Sequence, residues 1–364
     1  MKKNLINKKL ILGLQISLPI IVGLILFWLV FKHIDLAHFL NIVRNANIWY
    51  VLLYFAISAI IILCSVFRWK LILLSQKHNI KFSYLLKAYL AGYGVSYITP
   101  SAKMGGEPVR AALLKRHGLK THESLSTIII DKTMELGGSL LFFVIGAIIL
   151  TVNYSLPDNL KFLIIIISVI FLGIIGFGIY QIINEKGFIL TIYKFLKLHK
   201  MKKLTNVTKK IINIEKLIIK FYKKDKLHFV SALFVMAIAW SLMFVEFKLA
   251  ILIFGIDSNL LHIFLTFSVV GAAYLIPVPF AMGVLEGGEV ALFKAIGLSA
   301  SVGLGVGLLT RVRDSITAGI GLIIATYYGV AKKKTFTKSY KFDKNVFEKN
   351  LKKEKTKKKK DEKN

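Results

Sequence analysis

Apolar residues in this chain are gathered in blocks, not spread in the short alternations of a soluble fold. Runs of about 20 residues or more, long enough to cross a hydrocarbon core of ~30 Å as helix, lie at 10 to 31, 49 to 75, 123 to 151, 160 to 183, 228 to 254 and 301 to 329. This pattern predicts an all-α polytopic membrane protein with about six transmembrane helices. Two further apolar segments are interrupted. The first, 84 to 116, is broken by Thr99-Pro100-Ser101 and Gly105-Gly106; the second, 262 to 295, by Pro277, Pro279 and Gly283. Each half is too short to cross, since 15 helical residues reach only ~22 Å. Both segments are expected to be re-entrant helical hairpins, their tips turned by these prolines and glycines and buried in protein or facing a water-filled cavity.

Charge decides which side each segment enters from. The first hairpin is flanked by Lys77, Lys81 and Lys87 and by Lys115, Arg116 and Lys120, whereas the second has only Lys294 nearby. The loops from Thr151 to Asn159 and from Gly255 to Leu261 contain no Lys or Arg. By the positive-inside rule the N-terminus, the segments 68 to 87 and 184 to 227 and the C-terminus are cytoplasmic, at a cell membrane. The second hairpin then enters from outside. Lys2, Lys3, Lys8 and Lys9 precede an apolar run with no small-residue cleavage site, so the first span is expected to stay attached.

Composition agrees with the pattern. The chain is 55% hydrophobic, above the roughly 45–50% of soluble domains, with a mean hydropathy of +0.65. A net charge of +31 would suggest nucleic acid in a soluble protein. Here the lysines lie between and after the apolar blocks, with no aromatic-interleaved basic module, so the expected partners are membrane lipids with anionic headgroups and not nucleic acid. The single cysteine, Cys64, lies inside a span, and no metal site or cofactor is expected. The sequence gives no indication of oligomeric state.

The two broken segments are related. A shift of 179 residues superposes Glu107 on Glu286, Lys115 on Lys294, Gly118-Leu119 on Gly297-Leu298, Lys132 on Arg311 and Glu135 on Asp314. Upstream, Tyr97-Ile98-Thr99-Pro100 matches Tyr274-Leu275-Ile276-Pro277 at a shift of 177, a two-residue slip at the tip. The chain is therefore expected to hold a transmembrane domain over 1–334, with repeat one at about 84–151, a basic cytoplasmic linker at 184–227 and repeat two at about 262–330. A disordered Lys-rich tail at 335–364 follows. The repeats run in opposite directions across the membrane, the architecture of many secondary transporters.

Ionisable groups inside spans cost about 2.5–3.5 kcal/mol each on insertion scales, so they mark the interior or water. Lys132 and Glu135 can pair on one helix face, and Arg311 and Asp314 repeat that spacing, with Arg313 added. Arg110, Lys132, Arg311 and Arg313 are candidates to bind an anionic lipid headgroup, with Glu107, Asp131, Glu135, Glu286 and Asp314 holding the cations or acting in gating. The alternative is that each base only neutralises a neighbouring acid and ties the repeats together. Glu107 and Glu286 are placed either to accept backbone amides at the start of the second half-helix or to take part in gating or proton coupling. Glu246 and Trp240, in the fifth run, are harder to place: the cavity is one option for a lone carboxylate, and lipid or packing is enough to account for a lone Trp. Walker A, G-x-S-x-G and His-Glu-x-x-His motifs are absent from the sequence.

At Gly105-Gly106-Glu107-Pro108-Val109-Arg110, then Asp131-Lys132-Thr133-Met134-Glu135 and the hairpin from Pro277 to Glu289, the chain resembles the flippase-like membrane family, also called the lysylphosphatidylglycerol synthase transmembrane region or uncharacterised protein family 0104. Members usually show a Gly-Glu-x-x-Arg-type hairpin and an acidic-Arg-x-x-Asp-type helix. Here Lys132 stands for that Arg and Glu135 for that Asp, which keeps the charges but removes a bidentate phosphate contact. The best-known members carry a cytosolic domain that attaches lysine to phosphatidylglycerol. After Gly329 this sequence has only a Lys-rich stretch, so the resemblance implies lipid translocation without synthase activity. Alternatives are a membrane-embedded enzyme, or an accessory subunit of one, acting on a lipid-linked phosphate or sugar, and a membrane scaffold.

Overall fold

The computed structural model describes residue 44 and residues 46–101, 104–195 and 205–328; the expected first span at 10 to 31 and the Lys-rich tail lie outside them. The described residues are helical throughout, with no strand among them. In chain order the helices are α1 (Ile48–Ser75), α2 (Phe82–Ile98), α3 (Glu107–Arg116), α4 (Thr121–Asn153), α5 (Asp158–Ile183), α6 (Phe188–Phe195), α7 (Thr205–Ile219), α8 (Lys226–Ile253), α9 (Leu260–Ala273), α10 (Val284–Ala295) and α11 (Ala300–Tyr327). A π-helical turn, Lys220–Lys224, joins α7 to α8, and a 3-10 turn, Pro279–Ala281, lies between α9 and α10.

Four of these helices, α1, α4, α5 and α8, are long and apolar enough to cross a membrane. The last, α11, has the length of α1 but carries Arg311, Arg313 and Asp314 within its apolar run. Local chemistry fixes the starts. Asn47 accepts from Trp49 N at 2.9 Å to open α1, Asn259 accepts from His262 N at 2.9 Å to open α9, and the Glu123 carboxylate reaches back to Lys120 N at 2.8 Å at α4. The short helices α3 and α10 both end at a glycine in the left-handed region, Gly118 (φ +86°) and Gly297 (φ +78°). These glycines are 179 positions apart, and each turns the chain into a long charged helix.

One long helix, two short helices and a second long helix occur twice, as α1 to α4 and as α8 to α11. The packing is reciprocal. The most extensive contact joins α1 to α8, α2 lies along α11, and α9 lies along α4. Within each unit, α3 packs on α4 and α10 on α11. The α2–α11 pair is antiparallel and close. A Cβ on Gly94 would come within 2.7 Å of Ala318 O, and lower along the pair Tyr97 Oη lies 3.4 Å from Ser315 Oγ. At the other crossing Ser268 Oγ donates to Phe142 O at 3.1 Å.

Between the units the basic segment from Lys186 to Lys226 is structured where described. On α7, Ile211 and Ile214 are buried, as is Phe221 in the π-helical turn, and α7 packs against α4. The Glu215 carboxylate accepts from Leu190 N at 2.7 Å, which caps α6. Helix α5 is the least covered of the long helices, with large apolar side chains such as Phe162, Val169 and Ile183 exposed. In lipid such exposure costs nothing, since acyl chains are as apolar as the side chains.

Candidate functional site

The first unit builds a closed ring of alternating charge. Asp131 on α4 accepts from Arg68 Nε of α1 at 2.9 Å and from Arg110 Nη2 of α3 at 2.8 Å. Arg110 Nη1 lies 3.2 Å from Glu107, Glu107 lies 3.4 Å from Lys132 Nζ, and Lys132 lies 3.0 Å from Glu135. Glu135 closes the ring at 4.0 Å from Arg68 Nη2. Three cations and three carboxylates therefore balance. Asp131 is fully buried, and Arg110 lies under it with its guanidinium over the Trp69 ring, 4.0 Å from the centroid. Such a ring is tolerable in a low-dielectric interior because every charge has an opposite neighbour. Glu135 differs from the others in keeping 40% of its side chain exposed.

The second unit has a different arrangement. Arg311 pairs with Glu286 and donates to Phe280 O at 3.1 Å and Ala281 O at 3.4 Å. Both of those residues hold positive φ, 60° and 48°, so Arg311 fastens the strained tip of the second broken segment. Glu286 also accepts from Gly283 N at 3.0 Å, which starts α10 beyond the positive φ of Gly283. Two residues further on, Arg313 lies 2.9 Å from Glu246 of α8 and donates to Asp314 Oδ1 at 3.0 and 2.9 Å. Ser58 of α1 donates to the other Glu246 oxygen, and Tyr274 donates to Asp314.

Between the units lies a cavity of about 200 Å³. Its wall carries charge: Arg68, Lys132 and Glu135 from the first unit, Glu246, Arg313 and Asp314 from the second. The same wall holds apolar side chains, among them Ile61, Ile62, Leu136, Met243 and Phe267. Tyr89 and Tyr93 of α2 and Tyr274 lie along it, with Trp240. A smaller cavity of about 60 Å³ adjoins it and holds Arg110, Glu107 and Gly92 in its wall, sharing Lys132, Glu135, Tyr89 and Tyr93.

The sequence candidates thus separate. Lys132 and Arg313 line the larger cavity, Arg110 the smaller one, and Arg311 serves the tip of the second segment. Glu107 is spent on Arg110 and Lys132, while Glu286 takes both Arg311 and a backbone amide. Tip residues Pro100, Gly105 and Gly106 lie between α2 and α3, where Gly106 N donates to Ser96 Oγ at 2.8 Å and a Cβ on Gly106 would run into the α2 backbone at Gly92. Pro277 and Gly283 bound the second tip. Sequence alone puts Arg68 in the basic flank of its span and assigns no site role to Tyr89, Tyr93 or Tyr97. Their spacing of four along one short helix was the available signal, since it puts three phenols on one face.

Helices of this length and apolarity, with ion pairs buried between them, define an integral membrane protein with an internal polar site. The family model for the lysylphosphatidylglycerol synthase TM region matches residues 11–321, and the chain belongs to that family. Among its relatives are two UPF0104 membrane proteins of Methanothermobacter thermautotrophicus. One is 23% identical over 295 residues, covering 79% of this chain and 87% of the relative; the other is 24% identical over 352 residues, covering 89% and 94%. A UPF0104 membrane protein of Methanocaldococcus jannaschii is 27% identical over 186 residues, 50% of this chain and 53% of its own.

Proposed function

We propose that this protein translocates a lipid, or a lipid-linked headgroup, across the cell membrane. The observation that carries the reading is the mixed lining of the cavity: charged groups from both units together with lipid-compatible side chains. That combination matches a molecule with a charged headgroup and an acyl chain.

In this reading α1 to α4 and α8 to α11 are inverted repeats, with α2–α3 and α9–α10 as re-entrant hairpins entering from opposite sides and both termini cytoplasmic. The reciprocal packing and the 179-residue spacing of Gly118 and Gly297 support it. Gly321 and Phe142 are also 179 apart, and each meets the first arm of the opposite unit's broken segment. Rocking of one unit against the other exposes the cavity alternately. A headgroup phosphate reaches Lys132 by displacing Glu135, the ring's most exposed carboxylate, so binding opens the ring without leaving a buried cation unpaired.

Reconstitution into liposomes tests this. With fluorescent phospholipids in both leaflets, an impermeant quencher should reach the inner-leaflet probe in protein-containing vesicles and not in protein-free ones, with the lipid recovered chemically unchanged. Recovery of a covalently altered lipid would move the assignment to a membrane-embedded enzyme.

A further inference from the structure

Two carboxylates one turn apart on α10 have opposite surroundings. Glu286 and Glu289 are both fully buried. Glu286 is supplied with a guanidinium, from Arg311, and with the amide of Gly283. Glu289 has neither kind of partner among the described residues. Both its oxygens are buried without a hydrogen bond, and no neighbouring charge acts on it.

Glu289 occupies a core position. Leu285, four residues before it, and Leu292 and Phe293, three and four after it, share its helix face and are buried in one apolar core. The neighbouring helices come close at this level. A Cβ on Gly303 of α11 would lie 2.7 Å from Glu289 O, and a Cβ on Gly288 would lie 2.9 Å from Val269 Cγ1 of α9. Glu289 lines neither of the two cavities described above. The helices packed on α10 are α9 and α11. Of titratable groups, α9 carries His262, with Tyr274 just beyond it, and α11 carries Arg311, Arg313, Asp314 and, at its end, Tyr327. Besides Glu286, α10 itself has only Lys294, which is exposed. Arg311 is the first base along α11 after Gly303, and eight positions separate them, about 12 Å along the axis.

An ionised carboxylate with no hydrogen bond and no counter-ion is not tolerated in such a place, and the group keeps its proton instead. We propose that Glu289 is a proton-binding site, carried as a neutral carboxylic acid in the packed second segment and unloaded only when α10 parts from its neighbours. Loading forms one O–H bond at a Glu289 oxygen, with the proton taken from water; no other covalent bond changes. The route to exchange is mechanical. Helix α10 is wedged between α9, which lies along α4, and α11, which lies along α2, so rocking of one unit against the other acts on both walls around Glu289. Lipid movement is thereby coupled to a proton gradient. Coupling rests on the translocation reading; the site itself does not.

Infrared spectra of the full-length protein in liposomes at neutral pH test the site. A carboxylic-acid C=O band should be present, shift on ¹³C-glutamate labelling, and be missing in Glu289→Gln and Glu289→Leu. Absence of an isotope-sensitive band in the wild type, or a band that stays in either variant, overturns the site. A band that appears only when sodium is replaced with choline overturns it in favour of a bound metal cation. Leu removes only a polar group without a partner, so Glu289→Leu should unfold in detergent at or above the wild-type temperature. A markedly lower temperature would reveal a charge that Glu289 compensates, and overturns the neutral acid. In the same liposomes, reversing an imposed pH gradient should change the rate of wild-type lipid movement about fivefold or more, and Glu289→Leu should lose that response. Wild-type movement indifferent to the gradient overturns coupling. A Glu289 band without any lipid movement supports the proton site and overturns the translocation reading.

Discussion

Asp131 Oδ2 accepts from Arg110 Nη2 at 2.8 Å, joining two buried side chains 21 positions apart at the meeting of α3 and α4. With Arg68 on its other oxygen, Asp131 is the counter-ion for two buried guanidiniums. Replacing it with Ala leaves Arg110 with Glu107 alone and Arg68 with only Glu135 at 4.0 Å, and breaking buried pairs of this kind costs about 3–5 kcal/mol. Asp131→Ala should therefore lower the unfolding temperature in detergent sharply. Asp131→Asn keeps an acceptor and should lose distinctly less. Equal stability of Asp131→Ala and wild type would show that the ring is not what holds α1, α3 and α4 together.

The α2–α11 crossing gives a steric prediction. At Gly94 a Cβ would meet Ala318 O and Leu322 N at 2.7 Å, both backbone atoms that cannot swing aside. Gly94→Ala should destabilise by about 1–3 kcal/mol as the helices are forced apart. Gly173→Ala on α5, where a Cβ would meet nothing within 4 Å, serves as the control. It should be neutral or up to about 1 kcal/mol more stable, from helix propensity. Thermal denaturation of both variants in the same detergent makes the comparison.

Lys132 and Glu135 distinguish a binding pair from a structural tie. Lys132→Ala should abolish lipid movement while the protein still inserts, because Glu107 retains Arg110 and Glu135 can turn to water. If Lys132→Gln combined with Glu135→Gln keeps the full wild-type rate in liposomes, the pair only ties helices together.

Arg311 fixes a strained turn, so Arg311→Ala should loosen the segment around Phe280 and Ala281. The measurable result is faster amide hydrogen exchange at 280–283 with little change at 104–107. Lipid movement should fall as well. Unchanged exchange at the second tip would show that Phe280 and Ala281 hold their conformation without the guanidinium.

Sidedness follows from the lysine distribution and is testable with single cysteines in a Cys64→Ser background. Ser155 and Leu260, both exposed, should react with an impermeant thiol reagent applied to intact cells, and Lys186 and Lys224, also exposed, should react only after permeabilisation. Labelling at 186 from outside would overturn the opposed orientation of the two units.

Hydrophobic run length was enough to place α1, α4, α5 and α8, because burying a backbone in lipid requires helix wherever some 20 apolar residues stand together. The broken segments were legible through Pro277, Gly283 and Gly105-Gly106, residues that interrupt a helix by their own local geometry. Like charges recur 179 residues apart in the sequence, and Gly118 and Gly297, at that same spacing, each end a short helix. Which acid each base would meet was not: Lys132 and Glu135 are close on their own helix, yet Arg311 goes to Glu286 on α10 and Arg313 to Glu246 on α8. Ion pairing acts over a few ångströms in space, and only the folded chain decides which distant side chains come that close. Arg68 joined the site, and Glu246 came to share Arg313 with Asp314, for the same reason. The sequence determined that charges would be buried in this membrane protein; the packing of α1 and α8 against α4 and α11 decided that one set closes in a balanced ring and that the other joins Glu246 and Asp314 through Arg313.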